Sequence, residues 1–169
     1  MEKGKFYLFK IIGWKEPIGG IIESIGLKWL LIKHIVGDYT LDGYTLIQRK
    51  YIRNYIYDDE VLFTEKVLLA KGVMDTNIPY NIPLDTQTDP FIWLKEHNIT
   101  ARFNPKNASI CYVGKVEKMT IRFFQFISLN SKGCWDVSIY KHTYANTKTI
   151  DLDCDYINSL LIYNAKMQK

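Results

Sequence analysis

Gly20-Ile21-Ile22-Glu23-Ser24-Ile25 and Gly114-Lys115-Val116-Glu117-Lys118-Met119 follow one pattern, 94 residues apart. Each opens on a glycine and places a glutamate three positions later. At the same spacing Leu27 meets Ile121, Trp29 meets Phe123, Ile32 meets Phe126, Asp42 meets Asp136 and Ile56 meets Ile150. A fixed offset kept over such a stretch marks an internal repeat. Between Lys33 and Thr45 the two copies align only with small slips.

Outward from Gly20 the first copy reads as strands. Residues 5–12 are rich in aromatic and branched side chains and stop at Gly13. Residues 17–25 form the second strand. Its pair Gly19-Gly20 predicts a bulge or sharp bend, where a small sheet must curl. Residues 28–36 are almost continuously apolar, as in a strand covered on both faces. Gly37-Asp38 is a turn, 39–47 is a fourth strand with Asp42-Gly43 as an internal bulge or turn, and 51–57 is a fifth. Asp58-Asp59-Glu60 then supplies the negative charge that favours a helix start. Good helix formers run to Gly72, predicting a helix over 59–71. Residues 73–89, with Pro79 and Pro83, read as an irregular linker. Asp89-Pro90 opens a short helix ending near Asn98. The second copy also ends in acidic residues, Asp151, Asp153 and Asp155, followed by a helical stretch over 156–166.

The expected fold is mainly β with short helices: two tandem five-stranded barrels, each followed by a helix. The expected units are 1–72, a linker with a short helix at 73–98, and 99–169. Each barrel of about 50 residues would be marginal alone, because small domains bury a limited share of their surface. The glycine-led second strand, Trp29-Leu30-Leu31-Ile32, and Leu41-Asp42-Gly43-Tyr44 with Ile52 resemble an Sm-like or SH3-like small barrel. More narrowly, the chain is similar to uncharacterised bacterial proteins carrying two Sm-like barrels in tandem. That resemblance implies the fold more than a function. RNA-binding Sm-like proteins use a compact Asp-x-x-Asn type loop and an Arg-Gly or Lys-Gly pair. The chain departs from that pattern: the corresponding loops, Val36-Gly37-Asp38-Tyr39 and Leu129 to Gly133, lack the Asp-x-x-Asn form, and the late loop Gln48-Arg49-Lys50-Tyr51 has no Arg-Gly or Lys-Gly pair.

Composition narrows the rest. Of 169 residues, 47% are apolar and 24% charged, which gives ample core and argues against disorder. Lysines 28 and 33 interrupt the best apolar run, over 18–36, so no bilayer-spanning stretch is expected, and the first residues lack the apolar core of a signal peptide. Net charge is +4 and spread along the chain, without the basic stripe typical of nucleic-acid proteins. Cys111, Cys134 and Cys154 form an odd set without CxxC spacing, as in buried, reduced thiols of a cytoplasmic protein. His34, His97 and His142 stand singly, so no metal site is expected.

No catalytic constellation emerges. Gly-x-Ser-x-Gly and phosphate-cradling glycine loops are missing. His34 lies in the apolar third strand, as an edge or core imidazole; His142 is expected in an exposed polar loop and Cys111 in the core. Asp151, Asp153 and Asp155 lack the central glycine and late glutamate of a calcium loop, and read as a helix cap and strand edge. Tyr39, Tyr44, Tyr51, Tyr55 and Tyr57 crowd around Arg49, Lys50 and Arg53. Such aromatics either pack across strands or stack bases. Tyr39, Arg49, Lys50, Tyr51 and Arg53 are therefore the candidate nucleic-acid contacts. The expectation is a non-enzymatic binding or adaptor protein, without cofactor. It would meet a protein partner, or itself, at an exposed strand edge or between the barrels. The alternative is RNA or single-stranded nucleic acid on the first barrel.

Overall fold

The computed structural model describes residues 1–76, 79–105 and 111–167; Asn77 and Ile78 of the expected linker lie outside them. Among the described residues ten strands form: β1 (Phe6–Ile11), β2 (Ile18–Ile25), β3 (Trp29–Val36), β4 (Thr40–Gln48), β5 (Ile52–Ile56), β6 (Thr100–Asn104), β7 (Tyr112–Met119), β8 (Phe123–Leu129), β9 (Trp135–Thr143) and β10 (Thr149–Leu152). Helix α1 (Asp59–Ala70) follows β5, α2 (Asp89–Glu96) precedes β6, and α3 (Asp155–Met167) follows β10. Asp58 caps α1 by accepting from the Val61 N–H at 3.0 Å, and Gly72, at φ 72°, takes the left-handed turn that ends it.

The strands make one antiparallel sheet in the order β5-β1-β2-β3-β4-β10-β6-β7-β8-β9. This corrects the expected pair of closed barrels. The sheet is open, with β5 and β9 as its edges, because β4 pairs with β10 instead of folding back onto its own half. The second five strands nevertheless stand in the same order as the first.

Register makes the correspondence residue by residue. Gly20 faces His34 as Gly114 faces Ser128; Ile22 faces Ile32 as Val116 faces Phe126. One extra residue, Glu23 or Glu117, then interrupts each ladder before Ser24 meets Leu31 and Lys118 meets Gln125. The bulge expected at Gly19-Gly20 therefore sits three residues later. Gly20 and Gly114 answer a different need: a Cβ at either would collide with the neighbouring strand, at Ile32 and the Lys33 carbonyl or at the Ile127 carbonyl. From the middle of β9 the spacing becomes 95, since Trp29 faces Gln48 where Phe123 faces Thr143. Leu8 opposite Ile56 then corresponds to Arg102 opposite Asp151, so the expected match of Ile56 with Ile150 is one residue off.

β3 is almost continuously apolar, broken only by Lys33 and His34, because both of its faces are covered. Leu30 and Ile32 join Tyr7, Phe9, Ile22 and Ile47 in a core of the first half. Trp29 and Leu31 face the other way, into the largest core, with Leu46, Phe91 and Leu94 of α2, Phe103, Phe124 and Ile150. That core draws on both halves, and burying each large side chain contributes roughly 1.5–3 kcal/mol. The helices pack alike: Val61 of α1 lies with Phe6, Ile21 and Ile35, and Ile157 of α3 lies with Val113 and Leu129. Lys33, only 1% exposed, pairs with Glu23 at 2.7 Å and donates to the Val73 and Met74 carbonyls, tying the segment after α1 to the sheet.

Several polar residues lie elsewhere than expected. Asp151 belongs to β10, an interior strand, and is neither cap nor edge. His142 is half-buried in β9, opposite Phe124, because the strand runs on through the expected loop. Cys111 and Cys134 are exposed, since they lie outside the strands on either side; Cys154 is buried.

Candidate functional site

The expected basic and aromatic set divides in space. Arg49, Lys50 and Tyr51 form the 3-10 turn between β4 and β5. Arg49 donates from Nη1 to the Gly26 carbonyl at 2.7 Å, pinning the β2–β3 hairpin tip. In the second half the turn Tyr144–Asn146 holds the same position, and the Tyr144 hydroxyl donates to the Thr120 carbonyl at 2.9 Å. Different chemistry thus fastens the corresponding hairpin tip. The two turns touch each other: Lys50 Nζ at 3.4 Å and the Tyr51 hydroxyl both donate to the Ala145 carbonyl.

This convergence gives a face built from two hairpin tips and two 3-10 turns. Lys50 lies 5.0 Å from the Tyr51 ring centre, and Lys148 lies 5.7 Å from it. A shallow cavity of about 250 Å³ is lined by Leu27, Lys28, Gln48, Arg49, Lys50 and Gln87. The hairpin tips bring exposed cations, Lys28 and Arg122, next to exposed apolar side chains, Leu27 and Ile121. Lys28 and Gln87 escaped the sequence reading. The repeat carried a signal for the first, because Lys28 and Arg122 stand 94 residues apart, each after an apolar residue.

The other expected members are not part of this face. Arg53 is exposed on β5, at the sheet edge. Tyr39 stands at the far end of β4, separated from Arg49 by nine strand residues, roughly 30 Å of extended chain. Its φ is 59°, its carbonyl accepts from Lys71 Nζ at 2.9 Å, and its ring packs beside the α1 core. The remaining tyrosines also disperse. Tyr44 packs edge-on against Tyr80, whereas Tyr55 and Tyr57 flank Tyr7 at 5.4 and 5.0 Å. The strand pleat sends alternate side chains to opposite faces, which scatters a cluster that looks dense along the chain.

At the junction of the halves lies a second polar group that sequence reasoning missed. Asp151 is 3% exposed and accepts from Thr45 Oγ1 at 2.7 Å, Arg102 Nε at 2.7 Å and Asn104 Nδ2 at 2.6 Å. Burial opposes the Arg102 charge, but the Asp151 carboxylate outweighs it and raises the guanidinium pKa above its usual value. Burial lowers the pKa of nearby His34, against the pull of Asp151 and Asp42.

Among the described residues no group of three or more His, Cys, Asp or Glu side chains is arranged to hold a metal ion, and no helix is long and apolar enough to cross a membrane. Compared with protein-family models, curated proteins and solved structures, the chain matches none.

Proposed function

We propose that the chain is a non-enzymatic, cytoplasmic binding module of two Sm-like units, 1–72 and 99–169, joined by 73–98, and that its protein partner is a second copy of itself. One observation carries this reading. β4 of the first half pairs with β10 of the second, while β9 and β5, which hold the equivalent places, have no partner strand on their outer sides among the described residues. The two free edges are therefore complementary, and head-to-tail addition of another copy would repeat a pairing the chain already makes. Main-chain hydrogen bonds would supply the affinity. β9 has the character of an edge awaiting cover: it is nine residues long, with Val137 100% and Ile139 52% exposed.

Sedimentation across a wide concentration range tests the reading. Association should grow with concentration and vanish in the double variant Val137→Lys, Ile139→Lys, whose edge charges repel a partner strand. A wild-type chain that stays monomeric throughout, or a double variant that associates equally well, would refute it.

Convergence of the two 3-10 turns favours a second reading, single-stranded RNA bound across their shared face. Arg49 and Tyr51 already serve backbone carbonyls, which leaves Lys28 and Arg122 as the cations to neutralise phosphate. Affinity for a labelled single-stranded RNA should fall steeply with salt and weaken in Lys28→Ala, Arg122→Ala. No binding at low salt would end this reading.

A further inference from the structure

The Asp151 group lines a cavity of about 280 Å³ at the junction between β4, β10 and β6. Its charges stand where the first half has apolar side chains. Arg102 and Asp151 correspond to Leu8 and Ile56, which pack against the α1 core. A buried ion pair contributes little net stability compared with well-packed apolar residues, so stability alone is a poor reason for the exchange.

Hydrogen-bond accounting shows what the cavity offers. Both oxygens of Asp151 are engaged: Thr45 donates to one, Arg102 Nε and Asn104 to the other. Arg102 gives only Nε to this pair. Among the described residues its two terminal amino groups have no partner, and its side chain is 25% exposed. Thr149 Oγ1 accepts from Asn104 at 2.8 Å, which leaves the Thr149 hydroxyl hydrogen to donate. Two further ring nitrogens of the lining residues, Trp14 Nε1 and His34 Nδ1, are buried without a partner among the described residues. The cavity thus offers the Arg102 amino groups, the Thr149 hydroxyl and the Trp14 N–H as donors, with both oxygens of its one carboxylate engaged.

We propose that this cavity binds a small organic oxyanion, a carboxylate or a phosphate ester. The terminal amino groups of Arg102 and the Thr149 hydroxyl grip its oxygens, and Asp151 is a positioning residue that aims the guanidinium. A planar guanidinium fork matches two oxygens of either anion. A cavity of about 280 Å³ has room for a small organic anion. The site is independent of the β9 edge and of the 3-10 turn face.

The test is a titration of the full chain with sodium acetate, methyl phosphate and, as an uncharged analogue, acetamide. Ionic strength is held constant with sodium chloride, and nuclear magnetic resonance follows the Arg102 Nε–H and the Thr149 amide. At least one anion should give saturable shifts at both, with acetamide about tenfold weaker or worse. Whichever anion saturates first identifies the ligand class. Absence of saturation by both anions overturns the proposal, as does acetamide binding equal to acetate.

The double variant Arg102→Leu, Asp151→Ile copies the residues of the first half. It should fold with an unchanged or higher melting temperature and lose the saturable shifts at Thr149. Retention of those shifts overturns the proposal. Arg102→Lys provides a reading even if the double variant does not fold. It keeps the charge beside Asp151 but not the fork, and binding about tenfold weaker is expected, whereas undiminished binding overturns the assignment.

Discussion

β4 and β9 hold the same place in their halves, yet one is enclosed and the other bare. β4 lies between β3 and β10, and its residues from Tyr44 to Gln48 are all buried. Among the described residues β9 pairs only with β8, and its middle is exposed. Side-chain character follows cover: Leu46 and Ile47 of β4 correspond to Lys141 and His142 of β9. Helix starts diverge in the same way. Asp58 caps α1 from within its own half, whereas the first-turn N–H of Asp155 in α3 donates to Asp42 of β4 at 2.7 Å. The matching residue in β9, Asp136, instead accepts from the Ser138 N–H and the Tyr140 hydroxyl. Two copies of one plan thus keep backbone register while their polar side chains take on separate duties.

The largest expected effect asks whether the halves stand or fall together. Phe103→Ala removes a ring packed among Phe91, Phe124 and Phe126 and should cost about 3–5 kcal/mol. Resonances of Tyr7 and Phe9 should be lost in the same unfolding transition as those of Phe124. Survival of the first-half signals would show that the halves melt separately.

Next come the paired glycines. Gly20→Ala and Gly114→Ala should each cost about 1–3 kcal/mol in urea unfolding, because in both a Cβ meets the adjacent strand. A neutral result at either site would break the equivalence drawn from register.

The caps sharpen the comparison at a smaller scale. Asp58→Ala and Asp42→Ala should each lose about 1 kcal/mol. The first should loosen α1 and the second α3, read by amide exchange in each helix. Loosening of α1 by Asp42→Ala would contradict the cross-half cap.

Acidification is the gentlest probe. Burial depresses the pKa values of His34 in β3 and His142 in β9. Below the unfolded value of about 6.5 the unfolded chain binds protons that the folded chain refuses. Stability should therefore be level above that pH and fall as pH drops through it towards the folded values. The double variant His34→Asn, His142→Asn should flatten the slope of melting temperature against pH. An unchanged slope would mean that other groups govern it.

Much of the local structure was legible along the chain. The five strands of the first half and all three helices begin and end within a residue or two of where turn formers, caps and apolar runs put them. The bulges at Glu23 and Glu117 were not legible: the paired glycines placed the first three residues too early, and nothing along the chain marked the second. The pairing of β4 with β10 was not legible, because alternation tells a strand which faces it has and says nothing about which neighbour it takes. Without that pairing, Asp151 read as a helix cap. The single-residue insertion in β9 hid its correspondence with Ile56. Of the candidate site, Arg49, Lys50 and Tyr51 were found as neighbours. Tyr39 was misplaced because a nine-residue strand carries the chain away before the next turn begins.

The position of β10 has a consequence for how the molecule is made. This strand is the last of the ten described strands along the chain but lies in the interior of the sheet, between β4 and β6. Until it arrives, two flanks are unpaired at once, and both contacts span long stretches of chain, a topology that slows folding. A second molecule's copy of this strand could fill the same two flanks, so refolding at high concentration is expected to yield some exchanged chains, which sedimentation of the refolded protein checks.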